Sequence, residues 1–108
     1  MNNAIHSVNS LKEFLEIKET PSKKVFLINV NWLIPGKGMN EDFEYIHENY
    51  QDQFSFFQID IDLGKEILLH EKISMFPAIM FFNGPNVLDI LYGKVSIQTI
   101  EDKLNSLV

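Results

Sequence analysis

The sequence predicts an α/β fold: a central mixed β-sheet of four to five strands flanked by helices on both faces, with a C-terminal β-hairpin and helix. Three observations carry this. Helical and strand-like patterns alternate along the chain, as they do where parallel strands are joined by crossover helices. Two runs, Val25–Val30 and Phe76–Phe82, are almost continuously apolar, which suits strands covered on both faces. The second run leads into the turn-forming Asn83-Gly84-Pro85-Asn86 and a returning strand, Val87–Tyr92, so this pair reads as an antiparallel hairpin.

Each element has its own signal. A short strand around Ala4 to His6 fits ahead of the first helix, which is predicted over Val8–Thr20. Within that helix, Ser10 and Glu13 have capping-box spacing, and Leu11, Phe14, Leu15 and the stem of Lys18 share one face. Pro21-Ser22-Lys23-Lys24 ends it, and the Val25–Val30 strand follows. Pro35-Gly36 marks a turn before a second helix, Lys37–Tyr50, with Met39, Phe43 and Ile46 inward. Phe54–Ile61 alternates as a strand, with Phe54 and Phe56 on one side and Phe57, Ile59 and Ile61 on the other. A short helix through Leu63, Ile67 and Leu68 precedes the Phe76–Phe82 strand. The closing helix, Ser96–Leu107, is amphipathic through Ile97, Ile100, Leu104 and Leu107. No repeat, linker or low-complexity segment interrupts the pattern, so residues 1–108 read as one domain.

Composition narrows the function. The chain has 108 residues, 45% of them hydrophobic and nine of them Phe, enough for one core without metal or disulfide staples. Nine Lys and Arg against fifteen Asp and Glu leave a net charge of −6, which argues against nucleic acid and anionic membrane surfaces as partners. No apolar run approaches bilayer-spanning length. The N-terminal residues lack the basic and apolar regions of a secretory signal, so a cytoplasmic location is expected.

Several motifs in register resemble the thioredoxin family. Trp32-Leu33-Ile34-Pro35-Gly36-Lys37 resembles the redox loop Trp-Cys-Gly-Pro-Cys-Lys. Phe57-Gln58-Ile59-Asp60-Ile61-Asp62 is similar to the family's third strand. Ile73-Ser74-Met75-Phe76-Pro77-Ala78 is similar to the segment that carries a cis-proline, and Tyr92-Gly93 to the glycine after the last strand. The resemblance spans nearly the whole chain and implies a thioredoxin-like fold with a cis bond before Pro77.

The departures from that family matter as much. Leu33 and Gly36 occupy the two cysteine positions, and the sequence contains no cysteine at all. The buried acid that the family uses to deprotonate its second cysteine falls at Leu27. Asn31 precedes the loop tryptophan, and Glu41 stands near the usual helix-kinking proline. Disulfide exchange needs an attacking thiolate, and this chain has none to supply. No serine or histidine arrangement suggests another nucleophile, because Ser55, Ser74, His6, His47 and His70 are scattered.

The reading is therefore a thioredoxin-like module without thiol–disulfide exchange, needing no cofactor and binding another protein or a peptide. Its edge would be Trp32, Ile34, Phe76, Pro77, Tyr92 and Gly93, with Leu33, Pro35 and Gly36 as relics of the redox loop. The resemblance implies that the backbone before Pro77 pairs with an extended peptide. Two alternatives stand beside it: a glutathione-like small-molecule binder using the Phe76 backbone, and a homodimer that buries the same edge. Glu44, His47 and Glu48 share a helical face but lack a fourth ligand, so they read as a solvated face rather than a metal site. The strand residues Asp60 and Asp62 read as structural, Asn29 remains undecided between core and recognition, and the acidic runs on both early helices read as solvated faces.

Overall fold

The computed structural model describes residues 5–29, 38–60 and 65–108. In chain order the elements are β1 (His6–Val8), α1 (Leu11–Lys18), β2 (Lys23–Asn29), α2 (Met39–Tyr50), β3 (Ser55–Asp60), α3 (Lys65–Glu71), β4 (Ala78–Asn83), β5 (Asn86–Tyr92) and α4 (Ile97–Leu107). The five strands form one sheet in the order β1-β3-β2-β4-β5. β3 pairs parallel with both β1 and β2, whereas β2–β4 and β4–β5 are antiparallel.

Alternation along the inner strands divides the core into two layers, one on each face of the sheet. Phe26, Ile28, Met80 and Phe82 pack with Phe14 of α1 and Ile67 and Leu68 of α3. Val25, Leu27, Ile79 and Phe81 pack with Met39, Phe43 and Ile46 of α2 and Ile100 and Leu104 of α4. Residues facing opposite ways on one strand each meet a helix layer, which is why Val25–Ile28 and Ala78–Phe82 are apolar at every position. Phe26 is the aromatic centre of the first layer, stacked on Phe57 at 4.9 Å and edge-on to Phe14 and Phe82.

Element boundaries differ from the sequence expectation in instructive places. The first helix starts at Leu11, not Val8, because Val8 is taken by β1 and sits in register with Ile59. Ser10 is the N-cap and its Oγ accepts from the Glu13 amide at 3.1 Å. The returning bond of the capping box is displaced by one residue: Glu13 Oε1 accepts from the Asn9 amide at 3.0 Å, while Oε2 pairs with His6 Nε2 at 2.7 Å. β4 begins at Ala78 rather than Phe76. Proline has no N–H for a ladder bond, and the Pro77 carbonyl turns to Gly93 instead, at 2.7 Å. β2 in turn reaches back to include Lys23 and Lys24.

Candidate functional site

The start of β4 and the end of β5 meet at one corner of the sheet. Ala78 and Tyr92 are register partners, and the Gly93 N–H donates to the Pro77 carbonyl just beyond them. The Phe76–Pro77 peptide bond is cis. Gly93 has φ of +78°, a left-handed backbone that side chains resist, yet nothing lies within 4 Å of where a Cβ would project. Backbone conformation, not lack of space, calls for glycine there.

Pro77 is buried, Phe76 is half-buried against the α1–α3 layer, and Met75 and Tyr92 are 59% and 44% exposed. Among the described residues the Phe76 backbone N–H and C=O have no hydrogen-bond partner. The corner thus offers an uncommitted donor and acceptor on the main chain, beside two large apolar side chains.

The structure brings together Phe76, Pro77, Tyr92 and Gly93. The remaining sequence-predicted positions, Trp32, Leu33, Ile34, Pro35 and Gly36, lie outside the described residues. Their described neighbour on the C-terminal side is Gly38, the N-cap of α2, with φ of +88° and no side-chain cap. Lys94 leans over it, its Nζ 3.4 Å from where a Gly38 Cβ would sit. The loop after β5 and the start of α2 therefore share one end of the molecule.

The chemical surroundings of this end are apolar where the family has an acid. Leu27 is fully buried, paired in register with Ile79 and clustered with Met39, Phe43 and Ile46. Its register partner on the other side, Gln58 of β3, is polar but carries no titratable group. Asn29 is buried at the end of β2, in register with Asp60 of β3.

Away from the corner, Glu44, His47 and Glu48 line a cleft of about 330 Å³ with Ile5 and Gln58. His47 lies edge-on to Phe56 at 5.3 Å. Among the described residues no group of three His, Asp or Glu side chains has the geometry to hold a metal ion.

One buried charge was not legible in the sequence. Lys24 is fully buried, with its Nζ donating to the Thr20 carbonyl at 2.6 Å and to the Lys18 carbonyl and Thr20 Oγ1 at 3.1 Å each. It closes the C-terminal end of α1, where carbonyls lack intrahelical donors and a positive charge is favoured. Burial holds its pKa below the ordinary lysine value, opposed in part by the charge of Glu19. A lysine at the foot of an apolar strand gives no pattern signal; its acceptors, Lys18 at the end of α1 and Thr20 just beyond it, meet it only through the turn into β2.

Comparison with known proteins agrees with this architecture. The Thioredoxin family model matches residues 6–106. Thioredoxin H8 of Arabidopsis thaliana is 28% identical over 102 residues, which cover 94% of this chain and 68% of that protein. Thioredoxin-like protein CXXS1 of the same plant is 34% identical over 62 residues, covering 57% of this chain and 52% of that protein. The crystal structure of thioredoxin from Trypanosoma brucei brucei superposes with a TM-score of 0.90 at 19% identity, over 99% of this chain and 93% of that one. With the strand order, the two-layer core and the family match over nearly all its length, this cysteine-free chain belongs to the thioredoxin family.

Proposed function

We propose that this domain binds an extended segment of a protein or peptide at the Phe76-Pro77 and Tyr92-Gly93 corner, without exchanging disulfides. One observation carries the reading: among the described residues the Phe76 main-chain N–H and C=O have no partner, and Met75 and Tyr92 nearby are exposed. An extended guest can bond to that main chain as a short added strand while its side chains rest on the apolar pair. The chain supplies no thiolate, so the encounter ends in binding rather than in a mixed disulfide. Trp32 and Ile34 complete the proposed edge.

Capture from native lysate by the wild-type domain, beside Tyr92→Lys and the Trp32→Ala, Ile34→Ala double variant, tests this. The reading predicts that both variants unfold cooperatively, as the wild type does, and lose the captured partners. Equal capture by all three would overturn it. A run of each protein on size exclusion with light scattering tells a partner complex from a self-associated edge.

A further inference from the structure

A second surface lies between helices on the α1–α3 side of the sheet, over the core layer against which Phe76 also packs. Between these helices the surface opens into a groove of about 620 Å³, lined by Leu11, Lys12, Leu15, Glu16 and Glu66. Leu11 and Leu15 make its floor, half-buried and resting on the core layer beneath. The Lys18–Glu71 ion pair, at 3.0 Å, ties the two helices together at their C-terminal ends.

The charges around the groove are unevenly committed. Glu13 is held by His6 and the Asn9 amide, and Glu71 by Lys18 and His70. Glu16 and Glu66 are exposed on facing helices, and among the described residues neither side chain has a hydrogen bond or ion pair. Among the described residues, Lys12 is the one cation that lines the groove. Two unpaired carboxylates thus flank an apolar floor on a chain of net charge −6. Leu69, 80% exposed, follows Glu66 by three residues, so it shares that side of α3 and lengthens the apolar strip.

We propose that this groove docks a basic amphipathic helix of another protein. Its apolar face would seat on Leu11 and Leu15, and a lysine or arginine would lie between Glu16 and Glu66. Both walls are helices with their main-chain groups internally bonded, so recognition here runs through side chains and an added strand has nothing to pair with. α1 has eight residues and is about 12 Å long at 1.5 Å per residue, which matches a guest presenting apolar side chains at i, i+3 or i+4, and i+7.

The test titrates the ¹⁵N-labelled domain with a synthetic 15-residue helical peptide, leucine at those positions and lysine on the flanks. A counterpart with glutamate in place of every lysine serves as its control. The expected result is amide shift changes confined to the Leu11–Glu16 and Glu66–Leu69 segments, and none with the acidic peptide. Glu16→Lys combined with Glu66→Lys should weaken binding about tenfold, and Lys12→Glu should strengthen it a few-fold. These exposed substitutions leave the fold intact, so an unfolded variant cannot mimic the loss. Absence of binding at millimolar peptide, affinity indifferent to both charge variants, or shifts centred on Phe76 and Tyr92 would each overturn the proposal. Shifts that depend on protein concentration alone would assign the groove to a second copy and overturn it equally. The corner reading stands or falls separately, because its variants lie on other elements.

Discussion

Replacing Lys24 with methionine isolates a buried charge whose role the geometry defines. The side chain is fully buried, and methionine keeps an unbranched apolar stem one atom shorter while removing three donated hydrogen bonds. Two backbone acceptors, on Lys18 and Thr20, lose their donor. Each acceptor left unpaired in a partly buried place costs about 1 kcal/mol or more, and loss of a cation at a helix C-terminus adds about 0.3–1 kcal/mol. The net expectation is destabilisation of about 2–3 kcal/mol, a shift in urea midpoint of about 1–2 M at an unchanged slope. Thr20 Oγ1 keeps its own bond to the Ile17 carbonyl, so the last turn of α1 should fray without the helix melting. Faster hydrogen exchange at the Glu19 and Thr20 amides would report that fraying. The pH dependence has a fixed sign. Burial lowers the folded-state pKa of Lys24, so the unfolded chain binds that proton more tightly. The wild type should therefore gain stability relative to the variant as pH rises toward the ordinary value of 10.5, and lose that gain as pH falls through the folded value. A methionine variant as stable as the wild type, or more so, would refute the reasoning: desolvation of the ammonium would then outweigh its hydrogen bonds, as happens for some buried charges.

Two further substitutions probe other links. Leu27→Asp places the acid that the resemblance implies on a fully buried position packed against Met39, Phe43 and Ile46, with Gln58 as its register partner on β3, and should cost about 3–6 kcal/mol from lost burial and an incompletely paired carboxyl; insulin reduction should stay at background. A variant of unchanged stability in urea would mean that water reaches this site. Asp89 on β5 is held below the usual carboxylate value chiefly by its 2.5 Å hydrogen bond from Lys103 of α4, burial opposing and the Ile90 amide assisting. That contribution is present above the ordinary value of 3.8 and fades as pH falls through the folded one. Asp89→Asn should flatten this part of the acid unfolding profile, and an unaltered profile would show that the pair contributes nothing.

What the sequence disclosed follows the range of the forces involved. Local rules succeeded where the partner is a near neighbour: Ser10 caps α1 as its spacing with Glu13 suggests, and Ser96 caps α4 in the same way. Alternation placed Phe54 and Phe56 in one layer and Phe57 and Ile59 in the other, because a strand's period of two is geometric. Errors came where a distant strand competes. Val8 fits a helical pattern but gains more from pairing with β3, and Phe76 fits an apolar run but precedes a residue that cannot donate to the ladder. Lys24 was invisible although its acceptors lie only four and six residues upstream, because no residue pattern marks the turn from α1 into β2 that aims its ammonium at them. The meeting of Phe76-Pro77 with Tyr92-Gly93 follows from the predicted hairpin, and its reading as a binding edge came only through family resemblance; the Phe76 main chain without a partner among the described residues and the α1–α3 groove needed the folded chain.

The most direct measurement of the central claim is an amide shift map of the domain with extended peptides selected against it from a random library. A binding corner predicts that the largest changes fall on Phe76, Ala78, Tyr92 and Gly93, and that Tyr92→Lys abolishes them. Selected peptides that bind elsewhere, or a library that yields none, would contradict the account.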